Sequence, residues 1–389
     1  MPEISNLQPG EPELRQNRNL IIAGQLAFLP TGVLTTLLGP MLPILTVRWG
    51  LNDSQAGTLF PVQFLSQLGG VLLSGVMLAQ IGFRAVFLSG LLLMAAGVGT
   101  IFVGPAWAGW ISVAVYGLGL GLIIPTDNLM IAEISTGSRA AAVSLLNFFW
   151  GIGAVLCSLL VAWAYARGLL LAFLSLVALF LVILAVAMRG LPFPGKRQKS
   201  DTAISWRQIV ATPVTWLFSM VFFLYPGSET CVGGWIGSFV SRMGPHGAAM
   251  GPLMPAFFWA ALTAGRGAAG IVLHRVSEQR VLQAGYGFGA IGIAVLLRAS
   301  GLPAVIASAI ITGFSFAAVY PIAVARLSHR FGVQARSIGA VMFAIAALGP
   351  AALPWLVGVV SQSAGSLRAG LVVPLVATAI LFVIHLREW

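Results

Sequence analysis

The sequence predicts an all-α polytopic membrane protein with twelve transmembrane helices in two six-helix bundles. Three observations predict it. Of 389 residues, 58% are hydrophobic and only 8% charged, with a mean hydropathy of +0.96. A soluble domain carries about 25% charged residues, so this chain cannot build a water-facing surface, and it is too apolar to stay solvated and disordered. Second, apolar runs that reach the roughly 20 residues needed to cross a bilayer recur along its length. Third, Gly and Pro landmarks in the first half return in the second at a constant offset. The net charge of +11 comes from bases scattered between apolar runs. That pattern describes loops beside a lipid bilayer and not a nucleic-acid surface.

Residues 1–18 hold three Glu and no apolar core; they read as a polar tail and not as a cleavable signal. Spans are expected at 19–47, 52–80, 84–104, 107–134, 138–165 and 168–189, giving a first bundle over 19–190. A polar linker over 191–212 carries Lys196, Arg197, Lys199 and Arg207. Spans at 213–241, 248–274, 280–298, 302–330, 335–362 and 367–387 give a second bundle over 213–389. With both termini in the cytoplasm, sixteen Lys and Arg fall on the inner side, Arg84, Arg139, Arg266 and Arg275 among them. Five fall outside: Arg48, Arg167, Arg242, Arg298 and Arg368. The excess sets the orientation and places the chain, expected as a monomer, in an inner (plasma) membrane.

Pro30 and Pro226, Pro125 and Pro321, and Gly153 and Gly349 are each 196 apart, and Gly75 and Gly270 are 195 apart. Repeated halves mark many transporters, whose solute site lies near the midplane between them. Six spans followed by six in the same direction resemble the major facilitator architecture. The segment Gly75-Val-Met-Leu-Ala-Gln-Ile-Gly82-Phe-Arg84 is similar to that superfamily's G-x-x-x-D-R-x-G-R-R signature, with Ala79 in place of the Asp. Gly270-Ile-Val-Leu-His274-Arg275 is its second copy. The resemblance implies gating or structural roles for Gly75, Gly82, Arg84 and Arg275, and Glu133, Arg139 and Arg266 are expected in the same class of role.

Two further stretches resemble the fucose:proton symporter family and its sodium-dependent glucose transporter-like relatives. One is Tyr225-Pro226-Gly227-Ser228-Glu229-Thr230-Cys231-Val232-Gly233-Gly234-Trp235, and the other is Asn147-Phe148-Phe149-Trp150-Gly151-Ile152-Gly153-Ala154. Gly265-Arg266 adds to the likeness. The resemblance implies uptake of a small polar solute, foremost a monosaccharide, driven by H+ or Na+. That family's first-span acid has no counterpart here, and its fourth-span acid is Ile124, so its coupling residues do not carry over.

A charged carboxylate at mid-bilayer costs at least about 2.5–3.5 kcal/mol on insertion scales, so the intramembrane acids Asp127, Glu133 and Glu229 are candidates for function. Glu133 lies near a span end, six residues before Arg139, and reads first as a structural ion pair. Asp127 and Glu229 are the cation-coupling candidates. On a helix, 124, 127, 128 and 131 share a face, so Asp127 and Asn128 are expected to line one cavity. Sugar sites combine amides and acids with aromatic faces. The solute-binding candidates are Gln63, Gln67, Asn128, Asn147, Trp150, Tyr225, Glu229, Trp235, Trp259 and Tyr320; packing and interhelical hydrogen bonding compete for each. The chain has no Walker motif, no metal-ligand spacing among its four His and no Ser/His/Asp arrangement. Neither ATP, a cofactor nor enzymatic chemistry is expected. Proton-coupled efflux of a lipophilic compound is the alternative.

Overall fold

A computed structural model of the chain describes residues 11–135, 139–195, 213–331 and 335–387. The first bundle comprises α1 (Glu11–Thr36), α2 (Leu38–Trp49), α3 (Asp53–Gly57), α4 (Leu59–Gln80), α5 (Gly82–Thr100), α6 (Ala106–Ile134), α7 (Arg139–Ala166) and α8 (Leu170–Met188). The second comprises α9 (Pro213–Ser241), α10 (Pro245–Met250), α11 (Met254–Leu273), α12 (Glu278–Arg298), α13 (Leu302–Phe316), α14 (Val319–Phe331), α15 (Ala335–Ala364), α16 (Leu367–Gly370) and α17 (Val372–Ile384). Among the described residues, eleven segments are long and apolar enough to cross a membrane. Helix α9 is the twelfth span, made less apolar by Tyr225, Ser228, Glu229 and Thr230.

Proline explains why several spans are drawn as two helices. A proline has no N–H for the carbonyl four residues back and its ring crowds that carbonyl. The first span breaks after Thr36, four before Pro40, and the second after Gly57, four before Pro61. The tenth breaks after Phe316, next to Ala317, which is four before Pro321; the last breaks after Gly370, four before Pro374. Helix α1 includes residues 11–17 ahead of the apolar run, which as a candidate span begins at Arg18. Most of the expected linker, 196–212, lies outside the described residues.

The repeat is visible in the packing. Helix α1 lies along α7 and α4 along α6, while in the second bundle α9 lies along α15 and α11 along α13. The repeated glycines make these contacts possible. A Cβ on Gly153 would stand 2.0 Å from the Leu29 carbonyl oxygen, and one on Gly349 would stand 1.9 Å from that of Phe223. Between bundles, α4 meets α15 and α7 meets α11. Outward-facing Leu176, Leu179, Ile183 and Val186 leave an apolar flank on α8 for lipid,.

An even number of spans puts both termini on one face, the terminal face; the opposite one is the distal face. Between described residues, the hydrogen bonds that cross from bundle to bundle all converge on Asp53, at the distal end of α3. Its carboxylate accepts from Arg242 Nη1 at 2.9 Å, from Arg242 Nη2 and from the Ser361 hydroxyl. Its backbone N–H donates to Gln362 Oε1 at 3.3 Å. The adjoining Asn52 and Gln55 form a capping box that fixes the start of α3,. At the terminal face, by contrast, Arg326 Nε donates to Glu278 Oε2 at 3.2 Å and Arg84 Nη2 to the Leu191 carbonyl at 2.9 Å. Neither bond leaves its own half of the chain.

Candidate functional site

The residues that share a site lie where α7 of the first bundle meets α11 of the second, with α9 packed beside α11. Glu229 stands in the middle of α9. Tyr225, one turn earlier, donates its hydroxyl hydrogen both to the Glu229 carboxylate and, at 2.9 Å, to the Phe316 carbonyl. Tyr320 stacks on Tyr225 with centroids 6.4 Å apart. From α11, Arg266 brings a guanidinium nitrogen to 3.9 Å from Glu229 Oε2. That separation is an ion pair without a hydrogen bond. From α7, Trp150 completes the group: the Arg266 guanidinium lies 5.6 Å from its ring centre, and Trp259 meets it edge-on at 5.8 Å. The Trp150 indole N–H reaches Thr35 Oγ1 at 3.5 Å, the outer limit of a hydrogen bond,.

An Arg over an indole face and beside a carboxylate is electrostatically coherent. The ring's negative face and the carboxylate both stabilise the cation in a region of low dielectric. The arrangement can bind a polar solute by one ionic and several hydrogen-bonding groups while indole faces cover its apolar side.

Of the expected solute-binding residues, Trp150, Tyr225, Glu229, Trp259 and Tyr320 come together here. Gln63 does not join them. It is fully buried in the first bundle, where its Nε2 donates to the Thr35 carbonyl at 2.9 Å and its Oε1 accepts from Tyr116 at 2.8 Å. Both ends of the amide are used in tying three spans together. Trp235 is likewise occupied: its N–H donates to the Pro354 carbonyl at 2.9 Å and its ring packs 6.2 Å from Phe60. It seals the seam between bundles. Asn128 and Asn147 donate to carbonyls one turn back on their own helices, each at 2.8 Å. Gln67 is half-buried, with an unpartnered amide oxygen.

The expectation that Asp127 and Asn128 line one cavity is not met. Consecutive helix residues point about 100° apart, and here that difference decides their surroundings. Asp127 is 0% exposed and turned toward α1, where a Cβ on Gly24 would stand 2.7 Å from its Oδ1. Neither of its carboxyl oxygens has a hydrogen-bond partner. Asn128 is half-buried. Glu133 is exposed at the end of α6, and the side chain of its expected partner Arg139 lies outside the described residues.

Arg266 is also corrected. Counted from sequence among the rim bases, it follows Met254 by twelve residues and is level with Glu229 inside the membrane region. Among the signature residues, Gly82 has a φ of +83° that favours glycine,. Arg84 sits over the Phe193 ring as well as bonding Leu191, so it ties the end of the first bundle. Gly75, Gly270 and Arg275 are exposed. Sequence reading missed Thr263, whose position between Trp259 and Arg266 at helical spacing was the available signal. It also missed Asp53. A cavity of about 550 Å³ lined by Phe218, Glu278, Arg326, His329 and Arg330 opens at the terminal face. It lies apart from this group, and its Glu278 and Arg326 already bond each other.

Two bundles of paired spans, an internal repeat and an intramembrane ion pair of the second bundle facing Trp150 of the first define a polytopic membrane transporter. The profile of the Major Facilitator Superfamily matches residues 26–346, and the chain belongs to that superfamily. An uncharacterised MFS-type transporter of Yersinia pestis is 26% identical over 353 residues, covering 88% of each chain. Solved structures with the same fold include a nucleoside transporter (TM-score 0.76, 14% identity, 95% of this chain and 99% of that one). A D-xylose–proton symporter is similar at TM-score 0.70 (15% identity, 93% and 96%). The E. coli fucose:proton symporter is similar at 0.61 (16% identity, 94% and 97%).

Proposed function

We propose that the chain is a secondary active transporter that moves a small polar solute, foremost a sugar, by alternating access driven by a proton or sodium gradient. The observation that carries this reading is the Glu229–Arg266 pair held between Trp150 and Tyr225 in the cleft between bundles. An uncompensated charge is costly in a membrane and is commonly kept for a pathway. Here the acid and base come from two helices of one bundle and face an aromatic residue of the other. In this reading, Trp150, Tyr225, Trp259, Tyr320 and Arg266 contact the solute, and Glu229 meets both solute and coupling ion. Asp127, sealed away from the cleft, is a second coupling candidate. The Asp53 clamp holds the distal face shut, and the solute enters or leaves at the terminal face. The termini are taken as cytoplasmic and the membrane as the inner one. Support comes from the fold shared with two sugar–proton symporters.

The test is uptake of labelled monosaccharides into vesicles containing the purified protein, with an imposed proton gradient, an imposed sodium gradient, or neither. Accumulation above equilibrium of at least one sugar is expected with one gradient, and an ionophore that dissipates it abolishes the effect. If no monosaccharide accumulates and lipophilic cations are expelled instead, the protein is an efflux carrier.

A further inference from the structure

Helix α11 carries three buried polar groups without a hydrogen-bond partner where it meets α7 and α9. Trp259, Thr263 and Arg266 follow one another at i, i+4 and i+7 on α11 and so share a face. That face meets Trp150 and Gly151 of the other bundle: Trp259 and Arg266 contact the Trp150 ring, and a Cβ on Gly151 would lie 2.9 Å from Thr263 Cγ2. The Trp259 indole N–H, the Thr263 hydroxyl and Arg266 Nε are all buried without a hydrogen-bond partner. Trp259 itself is only 6% exposed, and its N–H edge lies on the α9 side, where a Cβ on Gly233 would stand 3.3 Å from Nε1. Thr263 and Arg266 are the donors nearest Trp150 and Gly151. Arg266 approaches Glu229 no closer than 3.9 Å, and Glu229 already accepts from Tyr225. Indole N–H and guanidinium can only donate. Buried donors left unpaired cost free energy that a bound acceptor recovers.

From this donor-rich face we infer that the transported solute carries a carboxylate: it is a sugar acid of the uronate class and not a neutral sugar. A neutral sugar's hydroxyls donate as readily as they accept, whereas a carboxylate accepts only. The planar guanidinium fork fits the two oxygens of a carboxylate, while Trp150 and Trp259 cover the ring of the sugar. Glu229 and the solute's carboxylate share one guanidinium. Their like charges are relieved when the coupling cation occupies Glu229, which links solute and ion at a single residue. This inference rests on the reading of the cleft as a sugar site and narrows it.

The experiment compares D-glucuronate and D-galacturonate with D-glucose and D-galactose, and adds L-lactate, by thermal shift and tryptophan quenching of the purified full chain. The uronates are expected to bind at least about tenfold tighter than their parent sugars, the scale of one charge-assisted hydrogen bond. In Arg266→Gln that advantage disappears, and in Arg266→Lys it is reduced without loss of fold. If the parent sugars bind as tightly as the uronates in the wild type, or if the advantage survives Arg266→Gln, the carboxylate inference falls and the sugar reading stands. If lactate binds in an Arg266-dependent manner while no sugar, neutral or acidic, binds, the sugar reading falls and the carboxylate recognition stands. If none of the five binds, both fall.

Discussion

In the first bundle, Gly153 of α7 admits the Leu29 carbonyl of α1; in the second, Gly349 of α15 admits the Phe223 carbonyl of α9. Gly117 and Gly313 do the same for Gln63 and Phe258, so that α4 meets α6 as α11 meets α13. The polar groups follow no such symmetry. At the repeat offset, Glu229 corresponds to Val33, Trp150 to Ala346 and Asp127 to Ala323, and Arg266, in the span pair offset by 195, to Val71. The first bundle spends its central polar residues on a neutral network, Thr35–Gln63–Tyr116, and leaves Asp127 alone. The second holds the charged pair. The repeated element is the backbone scaffold, whose close approaches tolerate no side chain. The chemistry was placed on it asymmetrically, and the first bundle brings Trp150, with Thr35 beside it, to the charged pair.

If the scaffold is the shared part, damage to it should be equal in both halves. Gly153→Ala and Gly349→Ala each force a methyl against a carbonyl, and overpacking of this kind costs about 1–3 kcal/mol. Both are expected at the top of that range, read as similar drops in the thermal midpoint in detergent; a large drop for one alone would break the comparison. Next in size is the inter-bundle clamp. Asp53→Ala leaves Arg242 without its partner at a half-exposed site, so a loss of about 1–2 kcal/mol is expected. Spin labels on the exposed positions 47 and 363 should report a longer distance across the distal face in that variant. An unchanged distance would remove Asp53 from the gate.

The two intramembrane acids should differ in sign. Asp127→Asn keeps the shape but removes an ionisable group that has no partner, so stability is expected to rise by on the order of 1 kcal/mol. A fall of the same size by thermal melting would show that Asp127 has a partner after all. The smallest effect lies at the end of the second bundle. His385 is buried just beyond α17, its carbonyl accepting from Gln283 at 2.9 Å. Loss of solvent pushes its imidazole below the usual histidine range, against the pull of the Leu381 carbonyl. A group held neutral when folded and free to charge when unfolded costs stability as pH falls. The thermal midpoint is therefore expected to decline below about pH 6.5, and to decline less in His385→Gln.

The spans were legible because apolar runs bounded by charge carry their own limits; α9 ends where the pattern puts it, at 241. The breaks were in principle legible too, since Pro40, Pro61, Pro321 and Pro374 each stand four residues past a carbonyl at or beside the interruption. Hydropathy averaged over a window hides them. Tyr225 and Glu229 stood out as polar residues among Gly and Pro in an otherwise apolar helix. Arg266 misled because a base near the end of an apolar run looks like a rim residue until its partner is known. Gln63 misled in the opposite way: a mid-span amide looks the same from sequence whether it faces a cleft or fastens three helices. Asp53 and Arg242 are 189 positions apart, and nothing local in either predicts their meeting.

The central claim is that Glu229 joins the solute to the driving ion at the cleft between bundles. It is tested most directly by measuring two modes of transport in vesicles containing Glu229→Gln. Glutamine keeps the size of the side chain and an acceptor for the Tyr225 hydroxyl but cannot carry the ion's charge exchange. The prediction is that gradient-driven accumulation falls at least about tenfold, more than 1.4 kcal/mol of lost coupling, while solute-for-solute exchange at equal concentrations persists. Accumulation at the wild-type level in Glu229→Gln would contradict the account.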